Sequence, residues 1–94
     1  MGPGSTHPGY ILQEELEARG LTAPALAHKL RIPPGEFEEI VSERRAITPE
    51  AALRLGRYFG NEAEFWMNLQ TQYDLAELRR TRGERIAAEV EQAA

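Results

Sequence analysis

The 94-residue chain contains no cysteine, which excludes a disulfide framework, thiol catalysis and thiolate metal sites, and fits a reducing compartment such as the cytoplasm. It has no apolar run near the roughly 18 residues needed to cross a bilayer, and its start lacks the charged and apolar regions of a signal peptide. It therefore reads as a soluble, cytoplasmic chain with no membrane partner. A basic surplus is also missing: net charge is −4 and the pI about 5.2. That argues against non-specific attraction to nucleic acid, although charge distribution can override the total.

The furniture of an enzyme is equally scarce. The only histidines, His7 and His28, stand in different elements without the H-E-x-x-H spacing of a zinc site. His28 reads as a partly exposed helix residue and His7 as a loop residue or neighbour of an N-cap. Glu36, Glu38 and Glu39 offer carboxylates, but nothing in the sequence supplies the apolar pocket or like-charge partner that raises a carboxylate pKa, so a solvated face is the simpler reading. The serines and threonines lack a G-x-S-x-G context, and no glycine-rich phosphate loop is found. The chain is expected not to be an enzyme and to need no metal or cofactor.

What is present is helical. Met1 to Ser5 resembles an expression-tag remnant, so residues 1–6 are set apart from a domain over 7–80, followed at 81–94 by a helical extension or frayed tail. Pro8-Gly9 opens the ordered part, and Tyr10 to Arg19 forms an amphipathic helix with Ile11, Leu12 and Leu16 inward, ended by Gly20. Thr22 is an N-cap with Pro24 in the first turn of a helix carrying Leu26, Ala27 and Leu30. Arg31 begins a turn, Ile32 points inward, and Pro33-Pro34 forces a new helix whose stripe is Phe37, Ile40 and Val41. Two short helices so joined form a helix-turn-helix, with Ala27 small enough for a close crossing. After the loop Glu43 to Ala46, Thr48 caps and Pro49 begins a fourth helix to Phe59, with Ala52, Leu55, Tyr58 and Phe59 inward, Leu53 flanking, and Gly60 as its stop. Asn61 with Glu64 reads as a capping box for a fifth and longest helix with Trp66, Leu69, Tyr73 and Ala76 on one face. The class is all-α, with five helices.

A helix-turn-helix lays its second helix in the major groove, with base-facing positions here at Gly35, Glu36, Glu38 and Glu39. Glutamate only accepts hydrogen bonds and is repelled by phosphate, so this face predicts weak DNA binding. Lys29, Arg31, Arg44, Arg45 and Arg54 are candidate phosphate contacts, and Pro34-Gly35 leaves backbone N–H groups at a helix start. Their alternative role is solubility. Phe65, Trp66, Leu69, Tyr73 and Ala76 make a face wider than a small domain must cover; they read either as core or as a homodimer seam, which would space two recognition helices for a palindromic operator.

The residues also carry a family likeness. His7-Pro8-Gly9, Ile11-Leu12, Glu15-Leu16, Gly20-Leu21-Thr22, Ile32-Pro33-Pro34, Arg45 to Pro49, Ala52 to Leu55 and Gly60 form a pattern, of which Ala63 to Gln70 with Tyr73-Asp74-Leu75 is the most specific part. Over His7 to Ala76 the chain resembles the HigA/VapI antitoxins of the XRE-type helix-turn-helix regulators. The resemblance implies a homodimeric, five-helix, lambda-repressor-like DNA-binding domain, paired through its carboxy-terminal helices. It also implies a partner, a HigB toxin of the RelE-like ribonuclease type, and repression of the shared operon. Three departures from the family pattern predict a weakened operator contact: Arg31 where the turn usually has Gly, Ala23-Pro24-Ala25 where a polar Gln is common, and the glutamate-rich recognition face. The alternatives are a protein-interaction module of the same fold that has lost DNA recognition and an orphan regulator without a toxin.

Overall fold

The computed structural model describes residues 6–93. The expectation for Met1 to Ser5 lies outside the described residues. Five helices follow one another: α1 (Pro8–Arg19), α2 (Ala23–Leu30), α3 (Pro34–Val41), α4 (Pro49–Phe59) and α5 (Ala63–Glu89). The described residues contain no strand.

Local chemistry fixes most boundaries. Thr22 and Thr48 Oγ1 accept from the N–H groups of Ala25 and Ala51 at 3.2 and 3.1 Å, with prolines in both first turns. Gly20 and Gly60 close α1 and α4 in the left-handed conformation, as their positions predicted. Two helix starts differ from expectation. α1 begins at Pro8, two residues early, because His7 is itself the N-cap, its Nδ1 accepting from Gly9 N–H at 2.9 Å. α5 begins at Ala63 with no side-chain cap. Asn61 does not form the expected capping box; its Oδ1 accepts from Trp66 Nε1 at 2.8 Å and ties the α4–α5 junction to the first turn of α5. That helix then continues through Gly83 to Glu89 without a break at residue 80.

The core gathers the stripes of all five helices. Leu12, Leu26, Ala27, Leu30, Phe37, Ile40, Leu55 and Trp66 are buried, and Ile32 and Ile47 close over them from the connecting segments. Phe37 and Ile40 lock α3 down, each worth roughly 1.5–3 kcal/mol of burial. Gly9 lets α1 cross the end of α3, since a Cβ there would collide with the Ile40 carbonyl oxygen. On α4 the inward face is Ala51, Ala52, Leu55 and Gly56; Tyr58 and Phe59 are half-buried and Leu53 lies open to solvent at 66%.

Candidate nucleic-acid interface

The candidate interface comprises α2, α3 and the loop from Ser42 to Thr48. The turn between the two helices is a Schellman closure: Ile32 N–H returns to the Ala27 carbonyl at 3.1 Å and Arg31 N–H to that of His28 at 3.2 Å. Arg31 sits at φ 58° and ψ 41°, the left-handed position that glycine ordinarily fills. The same closure ends α3. Arg44 N–H returns to Glu39 O at 2.8 Å and Glu43 N–H to Ile40 O at 3.0 Å, with Glu43 at φ 66°. Non-glycine residues in left-handed conformation therefore stand on both sides of α3, and only the first was legible in the sequence.

At the start of α3, Pro33 occupies the cap position and offers no side-chain hydrogen bond. The N–H groups of Gly35 and Glu36 precede the first intrahelical bond, which Phe37 N–H makes to Pro33 O at 2.9 Å. Gly35 faces open space, so nothing obstructs close approach of a ligand backbone. Glu38 is exposed, and Glu36 and Glu39 are half-buried. Glu39 is not a free carboxylate, because Arg45 bonds its Oε1 at 2.7 Å.

The cations fall into two groups. Arg44 and Arg45 lie in the loop after α3; Arg44 Nε donates to Ser42 Oγ at 2.8 Å, and Arg45 is engaged by Glu39. Lys29, Arg31 and Arg54 are brought together with Arg57 along a groove of about 450 Å³ between α2 and α4, floored by Leu30, Leu53 and Tyr58. Within it Arg54 is partly committed, pairing with Glu50 at 3.0 Å and donating to the Leu30 carbonyl at 3.3 Å, where it satisfies the carboxy-terminal end of α2. Arg57 joins this group; the sequence places it among the cations in and after the helix-turn-helix that could form a local basic surface, though not among the candidate phosphate contacts.

Two residues outside the motif hold its loop. Gln70 on α5 is 4% exposed; its Oε1 accepts from Ile47 N–H at 2.9 Å and its Nε2 donates to Asp74 at 2.9 Å. His7, 3% exposed, packs edge-on against Tyr73 with ring centroids 4.9 Å apart and makes a hydrogen bond to the Arg45 backbone. Burial lowers the His7 pKa below 6.5, opposed by the nearby charges of Glu43 and Asp74 and by the bond to Arg45, so the neutral ring is favoured.

The expected seam residues separate. Trp66 is removed from it: at 2% exposure, against Phe59 and bonded to Asn61, it belongs to the core of its own chain and offers no face to a partner. Phe65 is exposed at 45%, while Leu69, Tyr73 and Ala76 are half-buried. Further along α5, Leu75, Leu78 and Ile86 are large apolar residues that stand exposed, with Val90 just beyond the helix end. Among the described residues no group of acids and histidines is arranged to hold a metal, and no helix is long and apolar enough to cross a membrane.

No family model matches the chain. It is 56% identical over 70 residues to virulence-associated protein I of Dichelobacter nodosus, a match covering 73% of this chain and 65% of that relative, so the chain spans about two thirds of the relative's length. The solved Pseudomonas aeruginosa antitoxin HigA with the higBA promoter is 41% identical, with a TM-score of 0.89 over 96% of this chain and 99% of that one. Antitoxin GraA in complex with its operator is 36% identical, with a TM-score of 0.90 over 100% and 94%. With five helices, a helix-turn-helix at their centre and these relatives along nearly its whole length, the chain belongs to the HigA/VapI antitoxins among the XRE-type helix-turn-helix regulators.

Proposed function

We propose that the chain is the antitoxin of a type II toxin-antitoxin system, a non-enzymatic cytoplasmic protein that neutralises a HigB/RelE-like ribonuclease and, as a dimer, represses its own operon by binding palindromic operator DNA. The observation that carries the DNA-binding part is the close match in fold, at 36–41% identity, to two antitoxins solved with promoter or operator DNA. In this reading α3 enters the major groove, with Gly35, Glu36, Glu38 and Glu39 facing bases. The N–H groups after Pro34 and the side chains of Arg44 and Arg45 meet phosphates on one side, and Lys29, Arg31 and Arg54 extend the positive surface. The Glu39–Arg45 pair softens the repulsion that three glutamates would otherwise present. Glu38 remains a free acceptor, suited to a cytosine amino group. The dimer forms through the exposed side of α5, where Leu75 and Ile86 fall within about 20° of one another at 100° per residue.

The test is a titration against its own promoter and a scrambled duplex at two salt concentrations, with Arg44 and Arg45 both reversed to glutamate as control. Preference for the promoter of at least about tenfold, steep loss with salt, and abolition by the control are expected. Equal weak binding to both duplexes would favour the second reading, a protein-interaction module that retains the fold, for which the acidic recognition face is the supporting observation.

A further inference from the structure

The chain's acid surplus is not spread evenly. Residues 7–22 carry three glutamates against one arginine, and residues 61–76 carry Glu62, Glu64 and Asp74 with no cation. The helix-turn-helix and its loop, residues 23–47, are balanced at four of each sign. The two acidic stretches meet at a pocket of about 180 Å³ between α1 and the α4–α5 junction, lined by Ile11, Glu15, Arg19, Phe59, Phe65 and Trp66 among others. No residue of α2, α3 or the loop that follows contributes to it.

Its walls are aromatic. Phe59 and Phe65 lie 5.5 and 5.2 Å from the Trp66 ring, and Phe65 stands half out of the protein. The chain already shows which chemistry this wall accepts: the Arg19 guanidinium lies 5.1 Å over Phe59 and 6.0 Å from Tyr58, while its Nε donates to Glu15 at 2.9 Å. A carboxylate beside aromatic faces is a recognition site for a planar cation. Arg19 itself is exposed and holds its place through contacts that water screens, so it is displaceable.

We propose that this pocket seats an arginine of the ribonuclease partner, which takes over Glu15 and the Phe59 face from Arg19; the inference rests on the toxin-neutralising reading above and assigns its surface. A ribonuclease must carry cations to hold its polyanionic substrate, so the acidic setting of the pocket complements it and steers its approach. Because the pocket and the helix-turn-helix share no residue, the toxin and the operator engage separate surfaces of one protomer.

The test uses the full chain and a catalytically dead form of the HigB-type ribonuclease encoded beside it, with affinity read by calorimetry and operator binding read in parallel. Glu15→Arg and Phe59→Leu, the latter keeping apolar bulk while removing the ring, are each expected to weaken toxin binding by at least about tenfold while leaving operator affinity within about twofold. Arg19→Ala, which vacates the seat, is expected to hold or tighten it. Wild-type affinity that survives both Glu15→Arg and Phe59→Leu overturns the surface assignment alone, and Arg19→Ala weakening binding as much as Glu15→Arg overturns the displacement. A wild-type chain that does not bind the ribonuclease overturns the toxin reading and this inference together.

Discussion

Arg31 holds a conformation in which its Cβ crowds its own backbone, a cost of roughly 1–2 kcal/mol that glycine would not incur. The backbone hydrogen bonds from Arg31 and Ile32 hold it there, and the burial of Ile32 just beyond anchors the turn to the core. Arg31→Gly is therefore expected to raise stability by about 1 kcal/mol, seen as a higher urea midpoint, whereas Arg31→Ala, which keeps the Cβ, is not. Equal midpoints for the two variants would show that the turn is relaxed with a side chain present. The Arg31 turn was legible because Pro33-Pro34 fixes where α3 must start and the apolar register fixes where α2 must end. Glu43 was not: no glycine or asparagine marks it, and its conformation follows from Arg44 folding back to Glu39. Trp66 shows a different limit. Helical spacing places it on an apolar face, but spacing alone does not say whether that face meets its own chain or a second one.

At the scale of elements, the loop after α3 depends on residues distant in sequence. Gln70 interrupts the apolar face of α5, a visible signal, yet its partner Ile47 lies 23 residues earlier and only the packed fold identifies it. His7 is the other anchor, and its chemistry makes the anchorage depend on pH. Nδ1 must be unprotonated to accept from Gly9, and burial disfavours the charged ring. Its folded pKa is lowered, so the unfolded chain takes up protons more readily. The stability His7 contributes is full above its unfolded value near 6.5 and is lost as pH falls through the lowered folded value. His7→Asn keeps an N-cap acceptor but cannot titrate in this range. Urea midpoints measured from pH 7.5 to 5 are expected to fall more steeply for the wild type than for His7→Asn. Parallel profiles would remove His7 from the pH response. Loosening of the same loop would shift Arg44 and Arg45, so operator affinity is expected to decline with stability over that interval.

At the scale of the whole molecule, α5 is the longest dimension of the protein. Its 27 residues extend about 40 Å at 1.5 Å each, well beyond the bundle that its first half helps to enclose. Trp66 and Gln70 face inward, and the opposite side carries Leu75 and Ile86, each at 44% exposure, interspersed with charged residues. Among the described residues nothing covers that side. A second copy would, and a two-fold pairing along α5 would also fix the distance between two copies of α3, which a palindromic site requires. Leu75→Arg and Ile86→Arg together put like charges across such a seam without touching the core of either protomer. The double variant is expected to run as a monomer in analytical ultracentrifugation with unchanged helical circular dichroism, while the wild type runs as a dimer. Its operator affinity should fall by more than about tenfold, because one half-site no longer recruits the other. A variant that remains dimeric would move the seam away from this face of α5. A monomer that bound the operator undiminished would leave the dimer intact as a structure but remove it from recognition.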